Sequence, residues 1–366
     1  MALAPGPALL LNPPSPPGLS VNREGFGGLG VVTAAGGFTY PAHALAELQA
    51  ALVRRKFSVE ARDLVLEPAA RWSREQRLIV VRTAVATLAA DLAFARARGE
   101  ADPDARLVLW GTALDAHRQQ IAAELPRAEV ESGYDAEGLA ARIAGDAVLD
   151  VEARPDADWA GLSLGPSRWI PLWHRRGCTH TCHWCPYVIA TGRQIVARSP
   201  ARTALEFRRL VERHAPKRVV FRDPLFAGDA TDALLLLSRL AHLPALARAP
   251  FEVETRPECI TEPVAAALAE AGCVEVKLGI ETFEDAALRQ GERLLPGRTV
   301  ADYRESVRSA LLALQRRQIS VRAFLMSGLP LATPRGDDAA AAALADLAHV
   351  TRHPWRDPAA SKAGCS

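Results

Sequence analysis

The sequence predicts an α/β protein of two domains, a doubly wound sheet followed by a partial parallel (β/α) barrel. Three observations lead there. Short apolar runs alternate with stretches of helical period along nearly the whole chain, the pattern of parallel sheets flanked by helices. A length of 366 residues is about two ordinary domains. Three cysteines fall within eight residues, directly after the first predicted strand of the second half.

In the first half, residues 8–12 read as a strand that ends at Pro13-Pro14-Ser15-Pro16-Pro17-Gly18, and a glycine-rich loop follows. Leu45, Leu48, Leu52 and Val53 mark a helix over 42–55. Strands are expected at 59–66, 78–81, 107–110 and 129–131. Helices run through Leu88, Leu92 and Phe94, through Ile121 and Leu125, and over 136–144. The polar, Pro/Gly-punctuated stretch 154–167 reads as a linker, which bounds a first domain at 1–153. The alternation resumes with strands at 169–173, 218–221, 251–255, 274–280 and 320–326. Helices lie between them near 201–214, 231–241, 263–271 and 300–316. Five such units make a partial barrel over 168–350, whose strand ends would face one mouth. An Ala-rich helix over 337–350 and a patternless tail at 351–366 follow. No sixth strand is legible, so a barrel truncated after about five strands is expected.

Composition narrows the function. With 49% apolar and 23% charged residues the chain is globular rather than disordered. Forty-four basic residues against 42 acidic ones, without a long basic run, leave no footprint for nucleic acid. No stretch approaches the roughly 18 apolar residues of a membrane span, and no basic residue precedes the apolar 8–11 as in a secretory signal. A cytoplasmic protein is expected. Six cysteines in such a chain suggest metal or catalysis rather than disulfides.

Cys178, Cys182 and Cys185 have the spacing C-x3-C-x2-C. Three thiolates on one tight loop can hold three irons of a 4Fe-4S cluster and leave the fourth open. The alternative is a structural zinc held by these cysteines with His180 or His183, although zinc sites usually space their ligands as two separated pairs.

On these residues the sequence resembles the radical S-adenosylmethionine (SAM) superfamily, with Trp184 as the aromatic residue before the last cysteine. "VVFRDPLF" (219–226), "ETRPECI" (254–260), "AGCVEVKLGIET" (271–282) and "FLMSGLP" (324–330) are similar to strand-end segments of the branch with an N-terminal cobalamin (B12)-binding-like, Rossmann-like domain. "LLLNPP" and the glycine-rich loop after it resemble that branch's opening. The likeness spans roughly residues 8–335.

The resemblance implies cluster ligation by Cys178, Cys182 and Cys185. It implies SAM contacts from backbone around Trp184 and Tyr187, from Asp223 (the SAM ammonium), Arg256 (its carboxylate or ribose), Glu281 and Gly328. Each has an ordinary alternative: Asp223 as a turn opener before Pro224, Glu281 as a helix cap, Arg256 as a surface ion pair. It also implies a 5′-deoxyadenosyl radical, an electron donor such as flavodoxin or ferredoxin, a small-molecule or peptide substrate, and cobalamin-dependent methyl transfer to an unactivated carbon. Asp115-Ala116-His117 lacks the glycine of the cobalt-ligating D-x-H-x-x-G motif and follows the fourth strand, so it reads as a helix start. Loop 13–30, Gly111-Thr112 and Ser132-Gly133 are the candidate cobalamin contacts. Radical chemistry without methyl transfer, and a non-catalytic cluster- or zinc-binding remnant, are the competing functions. Cys259 and Cys273 read as packing residues.

Overall fold

A computed structural model of the chain describes residues 2–329, apart from 74, together with residue 333. The chain divides into two compact units. One comprises residues 1–170 with 186–192, the other 171–185 with 193 onward.

The first unit contains β1 (Pro7–Asn12), β2 (Leu19–Asn22), β3 (Val31–Ala34), α1 (His43–Arg54), β4 (Ser58–Asp63), β5 (Leu78–Arg82), α2 (Leu88–Ala101), β6 (Arg106–Gly111), α3 (Arg118–Glu124), β7 (Glu129–Ser132) and α4 (Ala136–Ala144). Five of the strands form a parallel sheet in the order β4-β1-β5-β6-β7. That is a doubly wound order, with its switch point between β1 and β5. The sheet is apolar on both faces, as parallel sheets covered by helices must be. Leu9, Leu11, Ile79, Val81, Leu107 and Leu109 meet Leu88, Leu92 and Ile121 in one core. Ala8, Leu10, Val80 and Val108, one residue out of phase, are equally buried on the other face. Each fully buried Leu or Val contributes about 1.5–3 kcal/mol.

Several local expectations change. The antiparallel hairpin β2–β3 frames the glycine-rich loop, where only loop was expected. Strand β4 ends at Asp63, three residues early, because the Asp63 carboxylate accepts from Val65 N–H at 3.1 Å and turns the chain. Val53 is 45% exposed, so the apolar face of α1 is Leu45, Leu48 and Leu52 without it. The stretch 154–167, predicted as a linker, lies along α1. There Ala46 O accepts from Asp158 N–H at 2.9 Å, Gln49 Nε2 donates to Ala160 O at 2.9 Å, and Trp159 stacks on His43.

The remaining elements are β8 (Trp169–Leu172), β9 (Arg175–Arg176), α5 (Tyr187–Thr191, counted with the first unit), β10 (Val196–Ala197), α6 (Pro200–His214), β11 (Arg218–Phe221), α7 (Ala230–Ala241), β12 (Phe251–Thr255), α8 (Glu262–Ala271), β13 (Cys273–Glu281), α9 (Asp285–Gln290), α10 (Val300–Gln315) and β14 (Ser320–Leu325). The second sheet runs β14-β13-β12-β11-β8, so its strands follow chain order, as in an open barrel. Strands β11 to β14 pair in parallel. Helix starts follow local chemistry. Ser199 caps α6 with Pro200 at its first position, Thr261 caps α8, and Thr299 with Asp302 forms a capping box on α10. On the helix-facing side, Phe207, Phe221, Phe226 and Phe251 pack ring against ring with Val276, Leu278 and Ile280 buried nearby in the sheet. The opposite face carries charges from its amino-terminal end to its middle. Arg218 pairs with Glu252 at 2.8 Å and Glu275 at 3.2 Å, Lys277 pairs with Glu252, and Arg322 with Glu275 at 3.0 Å.

The second sheet has five strands among the described residues, as expected. The predicted helix over 337–350, the tail 351–366 and Cys365 lie outside the described residues, as does Pro330.

Candidate functional site

The cysteine loop begins from a short hairpin. Strands β9 and β10 pair antiparallel, Arg176 opposite Val196. Gly177 follows with φ +85°, and a Cβ there would run into the Gln194 carbonyl and lie 3.3 Å from Ile195 Cα. Only glycine lets the chain turn here into Cys178. Cys178 is buried, and Cys182 and Cys185 are half-buried. None of the three is in a disulfide, and Cys185 N–H closes a turn on Cys182 O at 3.2 Å. Before the hairpin, Trp173 is held between two guanidinium groups, Arg176 at 4.1 Å and Arg198 at 3.9 Å from the ring centroid.

Asp223, Arg256, Glu281 and Gly328 each stand within three residues of the carboxyl end of a different strand of the second sheet. Asp223 is 1% exposed. Its two oxygens accept from His174 N–H at 2.8 Å and Arg175 N–H at 2.9 Å. Burial pushes its carboxyl up to about 6 against the pull of His174 and Arg175. It ties down the chain that leads into the cysteine loop. His174 is fixed on its other side by Thr203 Oγ1 at 2.8 Å and Asp232 Oδ2 at 2.6 Å.

Arg256 is buried and fully engaged. Nη2 donates to Glu258 Oε1 at 2.8 Å and to Arg293 O at 2.6 Å, and Nη1 reaches Cys182 Sγ at 3.7 Å. Burial works against the cation, and Glu258 more than offsets this. Arg293, 2% exposed, donates to the same Glu258 oxygen at 3.2 Å and to Gly279 O at 2.5 Å, and lies over the Tyr303 ring. Two buried cations thus share one carboxylate beside Cys182. Burial raises the Cys182 thiol above its ordinary pKa, and Arg256 and Arg293 pull it back. Burial and the same two cations push His180 down to about 4, which leaves it neutral at pH 7.

Glu281 sits at a register shift in β13 with φ +65°, rare for a residue with a side chain. Its carbonyl accepts from Met326 N–H at 2.7 Å. Burial pushes its carboxyl up to about 7, with Arg293 and Arg256 opposing and Glu254 adding to the rise. Gly328 has φ +72°, and among the described residues nothing lies within 4 Å of where its Cβ would stand. Tyr187 opens α5, and its carbonyl accepts from Thr191 Oγ1 at 2.9 Å. Among the described residues no three His, Cys, Asp or Glu side chains converge to hold a single metal ion. A cubane places each thiolate on its own iron and needs no such convergence.

In the first unit, the candidate segments meet at the carboxyl end of the sheet. Thr112 Oγ1 donates to Gly27 O at 2.9 Å, and Gly133 N–H to Gly111 O at 2.9 Å. Arg23 pins loop 13–30 over β1 through Asp91, Asn12 Oδ1 at 3.0 Å and Pro13 O at 2.6 Å. Arg82, wholly buried at the end of β5, donates Nη1 to Trp110 O at 3.0 Å between the Trp110 and Tyr134 rings. Among the described residues its Nε and Nη2 make no hydrogen bond, although Nε lies 3.9 Å from the buried Glu24 carboxylate, which offsets part of the cost of burying the cation. His117 ends a short 3-10 turn (Leu114–His117) leading into α3, after the fourth strand of the parallel sheet.

Sequence reasoning missed Glu258, Arg293 and Arg82. For Arg82 a signal existed: an arginine closing the otherwise apolar run Leu78-Ile79-Val80-Val81. Glu258 and Arg293 are 35 residues apart and leave no periodic trace.

Residues 174–335 match the family model described as the radical SAM superfamily. No curated protein matches the chain. Among solved structures, the chain is similar to the radical S-adenosylmethionine methyltransferase TsrM from Kitasatospora setae with cobalamin and 4Fe-4S cluster bound. The TM-score is 0.70 at 16% identity, over 94% of this chain and 73% of that one. TsrM with tryptophan substrate and a SAM analog gives 0.70 at 17%, over 93% and 71%. The cobalamin-dependent SAM radical enzyme OxsB, with aqua-cobalamin and SAM bound, gives 0.59 at 14%, over 88% of this chain and 49% of that one. At these identities the likeness is one of fold. Residues 174–335 thus match a radical SAM domain, in a chain whose fold is that of solved cobalamin-dependent radical SAM enzymes.

Proposed function

We propose that the chain is a radical SAM enzyme that transfers methyl groups to an unactivated carbon with the help of cobalamin. The observation that carries the reading is the loop of three cysteines outside any disulfide, 178, 182 and 185, at the carboxyl-terminal end of a parallel sheet beside the buried cations Arg256 and Arg293. This donor set fits an anionic thiolate-bound cluster, with Cys178, Cys182 and Cys185 as its ligands. When bound, the reduced cluster would cleave SAM to methionine and a 5′-deoxyadenosyl radical, and cobalamin would supply the methyl group.

The protein's own residues have distinct tasks in this reading. Asp223 acts through His174 and Arg175, fixing the approach to the loop in place of the direct ammonium contact expected from sequence. Arg256 neutralises charge at Cys182 and, with Glu281, Gly328 and the backbone near Trp184, belongs to the SAM site. The substrate is a small molecule or peptide, and a flavodoxin or ferredoxin supplies the electron. In the first unit, loop 13–30 with Gly111-Thr112 and Ser132-Gly133 would hold the corrinoid. Arg82, buried at the same strand ends beside Glu24, has Nε and Nη2 short of a hydrogen bond among the described residues, and these donors suit a ligand carbonyl.

The test is anaerobic reconstitution with iron and sulfide, then addition of hydroxocobalamin and desalting. About four irons per chain with retained corrinoid is the expected result. Iron without corrinoid would remove methyl transfer from the reading. Stoichiometric zinc without iron uptake would remove the radical chemistry as well.

A further inference from the structure

Trp184, between the second and third cysteines, lies against the backbone of Gly291 just after α9. A Cβ on Gly291 would fall inside the Trp184 indole, 2.6 Å from Cε3 and closer still to Cζ3 and Cη2. The backbone of Gly291 does not itself call for glycine, because its φ is −77°, a value any residue adopts. What excludes a side chain is the indole. The same short segment holds the cysteine loop at two further points. Gly291 O accepts from His183 N–H at 3.1 Å, and the Glu292 carboxylate meets His183 Nε2 at 3.3 Å and hydrogen-bonds Thr181. The loop's own turn, Cys185 N–H on Cys182 O, cannot by itself fix where the three sulfurs stand relative to the sheet.

We infer that Gly291 is a positioning residue, a seat for Trp184 that sets the three cysteines at the spacing a cluster requires. The inference rests on the reading of 178–185 as a cluster loop and adds to it a residue more than a hundred positions away that carries no ligand atom. It also explains the ring at 184. A flat side chain can lie directly on a bare Cα, and the atoms that would collide with a Cβ all belong to the benzo half of the indole.

That geometry supplies its own control. Phenylalanine at 184 lacks the reach of the benzo ring, so Trp184→Phe should relieve the clash created by Gly291→Ala. Wild type, Gly291→Ala, Trp184→Phe and the double variant are each reconstituted with iron and sulfide. Iron content and the electron paramagnetic resonance spectrum of the reduced protein are then compared. Gly291→Ala is expected to lose several-fold in iron and to broaden or lose the signal, while keeping the wild-type circular dichroism spectrum. The double variant is expected to return to the level of Trp184→Phe alone. Full iron with an unchanged spectrum in Gly291→Ala overturns the inference. So does a double variant as poor as Gly291→Ala.

If wild type itself takes up no iron, the cluster reading fails and the seat is read in metal-free protein. Iodoacetamide should then alkylate Cys182 and Cys185 faster in Gly291→Ala than in wild type, and at the Trp184→Phe rate in the double variant. Equal rates in wild type and Gly291→Ala overturn the seat.

Discussion

Arg256 Nη1 points at Cys182 Sγ from 3.7 Å, and the rest of the guanidinium is locked to Glu258 and the Arg293 carbonyl. A buried cation with one edge turned to a sulfur is an electrostatic setting rather than a surface ion pair. Hydrogen bonds to the sulfurs are among the terms that set a cluster's potential. Arg256→Gln is therefore expected to lower the midpoint potential of the reconstituted cluster, and Arg256→Lys to lower it less. Lysine keeps the charge and loses the fork that Glu258 orients. Potentiometric titration followed by electron paramagnetic resonance measures this. An unchanged midpoint in Arg256→Gln would show that the contact leaves the cluster untouched.

Asp223 serves two backbone N–H groups at once, so its replacements should separate hydrogen bonding from charge. Asp223→Ala leaves both buried donors unsatisfied, at a cost of about 1–3 kcal/mol each. Asp223→Asn keeps one acceptor and removes a carboxylate whose ionisation burial opposes. The alanine variant is expected to lose most of its iron and several degrees of thermal midpoint, and the asparagine variant far less of either. Equal losses in the two variants would contradict the hydrogen-bonding role.

Asp63 makes stability depend on pH. It is wholly buried, accepts from Asn12 Nδ2 at 2.7 Å, and is pushed by burial to about 6. Because the folded pKa is raised, the folded chain binds the proton more tightly than the unfolded one. The resulting stability is complete below pH about 4 and is lost as pH rises to about 6. A pKa moved from 3.8 to about 6 corresponds to about 3 kcal/mol. Urea unfolding between pH 4.5 and 7 should show this slope, and Asp63→Asn should reduce it by the Asp63 share while leaving that of Asp223 and Glu281, whose carboxyls burial also raises. A slope of the same size in the variant would assign it to other groups.

The parts that were legible in sequence are those written in local pattern. Leu9 to Leu11 and Ile79 to Val81 announce strands buried on both faces, and the alternation with helices gives the parallel order. Cys178, Cys182 and Cys185 announce themselves by spacing. Hairpin β2–β3 was not legible, because two strands of four residues flanking several glycines show no alternation long enough to read. Helix α9 has six residues, too few for a helical period. The partners of Arg256 were hidden for another reason. Glu258 and Arg293 meet only because the barrel brings the ends of β12 and β13 side by side, and nothing local in either segment encodes that meeting.

Lys277 and Glu252 test whether the charged face of the second sheet is structural. Glu252 is wholly buried and Lys277 is 5% exposed, on neighbouring strands and in contact. Burial alone would raise Glu252, yet Lys277 and Arg218 hold its carboxyl below the ordinary range. Removing one partner of such a pair strands the other in a dry site, at about 3–5 kcal/mol. Arg218 stays on Glu252 in Lys277→Met, so a loss of about 3 kcal/mol, the low end, is expected. Lys277→Met with Glu252→Leu removes both charges, and Arg218 keeps Glu275. The double variant should therefore recover most of the stability lost by the single one in urea unfolding. Because Glu252 is the second residue of β12 and Lys277 the middle residue of β13, both short of the strand ends that meet the cysteine loop, both variants should reconstitute with the iron content of wild type. Lost iron in the double variant, with its stability restored, would instead tie this charge layer to the cluster site.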